Sequence, residues 1–173
     1  MSQIKNIIFD FGGVIYDIDH MLTKQAFKAL GLTNFEKLYS HSIQTKLFED
    51  FEIGRITPSE FRAQVKKHLP DAVSDKEIDS AWNALLLGFD YSRIDLLEKI
   101  KEHYTIYLLS NTNEIHYQEY MGELESKQLK TKFQGLFKKL YFSHQIGMRK
   151  PNKNCFEFVL KENNLINIKI NRL

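Results

Sequence analysis

The sequence predicts an α/β protein: a parallel sheet flanked by helices and interrupted early by a helical insert. Three observations predict it. Short apolar runs rich in β-branched and aromatic residues recur at 4–9, 105–109 and 140–142; helical stripes lie just before the second and after the third; and from residue 16 to about 89 the texture is helical. Strands alternating with helices imply parallel pairing through right-handed crossovers.

Taken in order, Ile4 to Phe9 reads as a strand buried on both faces, ending at Asp10 and the pair Gly12-Gly13. The insert follows. Thr33-x-x-Glu36, Thr57-Pro58-Ser59-Glu60 and Ser74-x-x-Glu77 each match a capping box, with Pro58 at a first helical position, where its missing N–H costs nothing. Phe61, Val65 and Leu69 recur every fourth residue, and Ile78, Trp82, Leu85 and Leu86 form a similar stripe. Gly88-Phe89-Asp90 reads as the return hinge.

Ser92-x-x-Asp95 opens a helix carrying Leu96, Leu97 and Ile100, and Thr105 to Leu109 reads as a second buried strand. A third is approached through Gln134 to Lys139, with Leu140-Tyr141-Phe142 as its apolar part, and Pro151 to Asn163 reads as a helix with Phe156, Val159 and Leu160 on one side. The tail from Asn164 to Leu173 alternates isoleucine with polar residues, the period of one more half-buried strand. The division that follows is a core of residues 1–15 and 90–173 with an insert of 16–89 standing over the sheet's carboxyl edge.

Composition narrows the function classes. A chain of 173 residues supports one substantial core or a core plus a small insert, and 43% hydrophobic with 27% charged residues argues against disorder. Lys plus Arg number 24 against 22 Asp plus Glu, so nothing in the overall charge points to nucleic acid. Cys155 is the only cysteine, which precludes an intrachain disulfide. No run approaches the roughly 20 apolar residues of a membrane span, and the amino terminus enters a strand directly, so the expected setting is cytoplasmic, without membrane or nucleic-acid partners.

The chemistry lies at the strand ends. In one parallel sheet, the carboxyl ends of the strands bring together Asp10, Ser110 with Asn111, and, beyond Phe142, Lys150. An aspartate can attack as a nucleophile and form a covalent intermediate that water hydrolyses. A serine hydroxyl, backbone N–H groups and a lysine ammonium can hold the oxygens of a transferring phosphoryl group. Two anions repel without a cation, so Mg2+ bound by Asp10 and a nearby carbonyl is the expected mediator.

The motifs Phe9-Asp10-Phe11-Gly12-Gly13-Val14-Ile15, Leu109-Ser110-Asn111-Thr112-Asn113 and Gly147-Met148-Arg149-Lys150-Pro151 resemble those of the haloacid dehalogenase (HAD) superfamily, with a helical cap inserted after the first. They are similar, more narrowly, to a bacterial subgroup that includes sugar-phosphate phosphatases acting on glucose 1-phosphate. The stretch Phe51-Glu52-Ile53-Gly54-Arg55-Ile56-Thr57 and the pair Trp82-Asn83 share that likeness. The resemblance implies a HAD-like, Rossmann-like core and a phosphatase of small phosphorylated metabolites. In that reading Asp10 is nucleophile and metal ligand, the Gly12 carbonyl is a second metal ligand, Ser110 and Asn111 hold phosphate oxygens, and Lys150 stabilises charge. Cap residues such as Tyr16, Asp17, His20, Phe48 or Trp82 would set specificity.

Two departures qualify the expectation. Gly12 stands where many of these phosphatases carry a second aspartate acting as general acid and base, and the subgroup itself carries glycine there; Asp17 and Asp19 read first as helix caps at the entrance to the cap and second as stand-ins for that acid. The fourth motif, an acidic pair completing the metal site, is not found between the Pro151 helix and Leu173, which implies weakened Mg2+ affinity. The alternatives are a protein that binds anions without turnover and a hydrolytic dehalogenase.

Overall fold

The apolar runs form three parallel strands whose carboxyl ends converge on one edge. The computed structural model describes residues 4–32 and 42–165. Among these, β1 (Asn6–Phe9), β4 (Thr105–Ser110) and β5 (Lys139–Phe142) make one sheet in the order β1-β4-β5. Phe9 lies opposite Leu108, and Ser110 opposite Phe142. The central strand β4 is buried from Ile106 to Ser110, because side chains alternate into two covered faces. β1 is half-buried throughout, not enclosed as its apolar run suggests, since it has one neighbour among the described residues.

One face of the sheet packs Ile106, Leu108 and Phe142 against Ile94 and Leu97 of α5 (Tyr91–Lys101), Tyr120, Met121 and Leu124 of α6 (Glu114–Ser126), and Phe133 and Leu136 of α7 (Lys130–Leu136). The other packs Tyr107, Leu109 and Tyr141 against Cys155 and Val159 of α9 (Lys153–Glu162), beyond the one-turn helix α8 (Ser143–Ile146). The strand approached through Gln134 is therefore shorter: Phe133, Leu136 and Phe137 bury at helical spacing in and just after α7, and β5 begins at Lys139. The alternating tail lies outside the described residues from Ile166 on, as does the Thr33 capping box.

The insert contains α1 (His20–Ala29), α2 (Ser42–Glu52), α3 (Pro58–Lys66) and α4 (Asp75–Asn83) around Phe27, Phe51, Phe61, Ile78 and Trp82. Both described capping boxes form: Thr57 and Glu60 exchange side-chain and backbone bonds at α3, and Ser74 and Glu77 do so at α4. The insert is not helical to its ends. β2 (Tyr16–Ile18) and β3 (Leu86–Phe89) pair antiparallel, Tyr16 opposite Phe89, and seat those two rings in the core cluster. The stripe through Leu85 and Leu86 breaks accordingly, since α4 ends at Asn83 and Leu86 enters the ribbon. Helix α5 starts one residue before Ser92, with Asp90 as its cap accepting from the Ser92 N–H at 3.1 Å.

Candidate active site

Asp10 follows β1 directly, at the carboxyl edge. Next, the Phe11 carbonyl accepts from the N–H groups of Val14, Ile15 and Tyr16, at 3.2, 2.8 and 3.1 Å, folding the chain into a tight turn. Gly13 takes φ +75° there, which side-chain-bearing residues avoid. At Gly12 a Cβ would lie 3.1 Å from Ile18 Cδ1, so β2 closes over the position where a second aspartate would stand. The sequence-proposed stand-ins are engaged elsewhere. Asp19 caps α1 through the Met21 N–H at 2.8 Å, and Asp17 pairs with Arg93 at 2.6 Å.

The Asp10 carboxylate, 49% exposed, accepts the Phe11 N–H at 2.7 Å and meets the Lys150 ammonium at 2.6 Å, both on Oδ1. Lys150 arrives from the loop after α8, and its place is fixed by Asn111. The Asn111 side-chain amide donates to the Lys150 carbonyl, and its Oδ1 accepts from the Lys150 N–H, each at 2.8 Å. The side chain of Asn111 is thus taken up in holding the lysine's backbone. Ser110 ends β4, one register step beyond the residue level with Asp10; strands in a sheet lie ~4.8 Å apart. Among the described residues its hydroxyl makes a single long contact, 3.4 Å to the Asn111 carbonyl, and the residue is 1% exposed. The carboxylate and ammonium of two separate segments therefore meet, and Ser110 ends the neighbouring strand at the same edge.

Neighbouring residues, some of them motif members that the sequence assigned no positioning role, lock this edge. Ser143 Oγ accepts from the Thr112 N–H at 2.9 Å and donates to the Thr112 carbonyl at 2.8 Å. Asn113 caps α6 by accepting the His116 N–H at 3.1 Å, and it also accepts the Trp82 indole N–H at 3.2 Å. The cap pattern of Asn113 ahead of an apolar helix was readable; the bond to Trp82, 31 residues away, was not. Glu52 of α2 forms an ion pair with Arg149 at 3.0 Å, directly before Lys150; burial raises the Glu52 pKa, against the pull of Arg149. The turn after α2 touches α8, with the Gly54 backbone against the His144 carbonyl.

As a cation site the arrangement offers hard oxygens: the half-exposed carboxylate of Asp10 and the Gly12 carbonyl. Among the described residues no cluster of three or more His, Cys, Asp or Glu capable of holding a metal occurs. That donor set suits Mg2+, which keeps several waters and uses one or two carboxylates together with substrate phosphate. The shallow depression lined by Ile4, Lys5 and Lys101 to Thr105 sits at the amino ends of the strands, remote from this chemistry. Among the described residues no helix is long and apolar enough to cross a membrane.

No family model matches the chain. It is 34% identical over 167 residues to a D-ribitol-5-phosphate phosphatase of Bacteroides thetaiotaomicron, covering 95% of this chain and 79% of that protein. Among solved structures it is similar to a HAD family enzyme of the same organism, at 35% identity and a TM-score of 0.86, covering 94% of this chain and 80% of the other. That enzyme has also been solved in complex with magnesium and inorganic phosphate. A predicted HAD-like family hydrolase of Porphyromonas gingivalis shares 26% identity at a TM-score of 0.80, covering 94% and 78%. An edge that gathers Asp10, Ser110 and Lys150, and a likeness running through nearly the whole sequence, lead to one conclusion: the chain belongs to the haloacid dehalogenase superfamily.

Proposed function

We propose that the protein is a Mg2+-dependent phosphatase of small phosphorylated metabolites, with sugar and polyol phosphates as its substrate class. The observation that carries this is the 2.6 Å pairing of Asp10 and Lys150 at the strand edge, beside the scarcely engaged hydroxyl of Ser110. The phosphatase relative and the magnesium–phosphate complex of the HAD family enzyme support the same chemistry.

In this reading an oxygen of Asp10 attacks phosphorus, the bond to the leaving alkoxide breaks, and water later cleaves the aspartyl phosphate. Ser110 Oγ and the Lys150 ammonium hold equatorial phosphoryl oxygens, and Asn111 keeps Lys150 in place through its backbone. Asp10 and the Gly12 carbonyl would hold Mg2+, which screens the negative charge of carboxylate and phosphate from each other. With Gly12 offering no carboxyl, and Asp17 and Asp19 engaged elsewhere, the leaving oxygen takes its proton from water.

The division into a core of residues 1–15 and 90–173 and a helical cap of 16–89 belongs to the same reading, supported by the separate aromatic cluster around Phe51, Phe61 and Trp82. So does a cytoplasmic setting without nucleic-acid partners, supported by the near balance of charge and the single, buried Cys155. A second reading, anion binding without turnover, is favoured by the absence of a carboxylate cluster among the described residues. Phosphate release from a panel of sugar and polyol phosphates, with and without chelator, separates the two. Turnover that chelator abolishes, and that Asp10→Asn lowers by about 10⁴-fold or more, is the expected result. Phosphate binding with release no greater than in Asp10→Asn would establish the second reading.

A further inference from the structure

Trp82 belongs to the insert, yet its polar atoms and one ring face are bound to the loop and helix that follow β4. Its indole N–H donates to Asn113 Oδ1 at 3.2 Å. The Asn113 amide donates to His116 Nδ1 at 3.0 Å, which makes that nitrogen an acceptor and places the imidazole proton on Nε2. Nε2–H then donates to the Trp82 carbonyl at 3.1 Å, closing a ring of bonds. The same carbonyl accepts from Thr23 Oγ1 of α1 at 3.1 Å, and Thr23 in turn accepts the Leu85 N–H at 3.1 Å. The indole lies parallel to His116, centroids 5.1 Å apart, and on Phe48 at 5.3 Å. Asn113 is 1% and His116 8% exposed.

A buried polar ring with its donors and acceptors matched permits one arrangement where apolar packing would permit several. Its position in the chain gives that arrangement a use. Residues 110 to 113 carry, in order, the Ser110 hydroxyl, the Asn111 tether to Lys150, the Thr112 clamp to α8 and the Asn113 bond to Trp82. No glycine intervenes.

Building on the phosphatase reading, we infer that Asn113 and His116 are positioning residues, which transmit the seating of the insert at Trp82 to the segment that holds Ser110 and Lys150. Neither touches substrate; each acts through the loop. Protonation of Nδ1 would set two donors, Nδ1–H and the Asn113 amide, against each other. Burial pushes the His116 pKa down to about 4, against the pull of its bond to the Trp82 carbonyl and with a smaller push from His20.

Trp82 is the only tryptophan, so its emission reports on this ring. In wild type, inorganic phosphate with Mg2+ is expected to shift Trp82 emission. His116→Phe keeps a stacking ring but removes both bonds. It is expected to lower kcat on p-nitrophenyl phosphate about tenfold or more while KM stays within about threefold, and to abolish the emission response. A folded His116→Phe with wild-type kcat and an intact emission response would overturn the inference.

Asn113→Asp provides an arm that does not depend on tolerance of Phe. A carboxylate facing Nδ1 favours the imidazolium, so the pH midpoint of the Trp82 emission change is expected to rise by about one unit or more; an unmoved midpoint counts against the ring as drawn. If wild type releases no phosphate, the phosphatase reading fails by itself. The inference is then judged by phosphate-dependent emission: a response lost in His116→Phe sustains it, and a wild-type emission indifferent to phosphate defeats it.

Discussion

At the scale of single residues, the arrangement turns on how little Asn111 is free to do. Both ends of its amide hold the backbone of Lys150, so Asn111→Ala leaves an N–H and a carbonyl without those partners. We expect a stability loss of about 1–3 kcal/mol by urea unfolding. The larger effect falls on turnover, down by about 10²-fold in phosphate-release assays, because the lysine no longer sits against Asp10. Asp10 and Lys150 were legible in the sequence as members of ordered motifs, and the structure joins them at 2.6 Å. The task of Asn111 was not legible. A side chain that binds backbone 39 residues away leaves no residue-type signature at its partner, since every residue but proline offers the same two groups.

At the scale of elements, contact between insert and core depends on close backbone approach as well as on side chains. Gly54 has φ +69°, and a Cβ there would lie 2.1 Å from the His144 carbonyl oxygen. Gly54→Ala therefore both strains the turn after α2 and pushes it off α8, a cost of about 2–5 kcal/mol readable by chemical denaturation. Gly122→Ala is the contrast: that glycine sits within α6 with open space around it, and the same change there is expected to stabilise by about 0.5–1 kcal/mol. Capping boxes at Thr57 and Ser74 were readable because their signal is complete within four residues. The ribbon of β2 and β3 was hidden because its strands are three and four residues long and each partner lies some seventy residues away. Such short strands carry too few positions for a period to show, and here Gly88 interrupts one of them.

At the scale of the whole molecule, acid sensitivity follows from buried imidazole. His116 titrates near 6.5 when exposed and near 4 in the fold. Its folded-state pKa is depressed, so the unfolded chain binds the proton more readily; the stability this residue contributes is full above about pH 6.5 and is lost as pH falls towards 4. Between pH 7.5 and 4.5 the loss amounts to about 2–3 kcal/mol. His144, whose pKa burial also lowers, adds in the same direction, while Glu52, raised by burial, opposes it once pH enters the carboxylate range. Urea unfolding at the two pH values should show a shallower pH dependence for His116→Gln than for wild type by that amount; parallel behaviour would remove His116 from the account. The order of the three sheet strands, with a helix before the second and another after the third, was legible at this scale because hydrophobic period is a property of long stretches; the helices between β4 and β5 were not. Burial of a histidine was not, since it depends on which insert helix faces α6.

The pairing of Asp10 with Lys150 has a further consequence. In the proposed mechanism the resting Asp10 carboxylate occupies the cation that an arriving phosphoryl group needs, so the protein is its own first competitor. Each incoming anion must win the ammonium from Oδ1, the oxygen that also holds the Phe11 N–H, while these bonds leave Oδ2 to the open side of a half-exposed carboxylate. An anion too weak to draw the ammonium from the aspartate meets a cation whose charge is already matched.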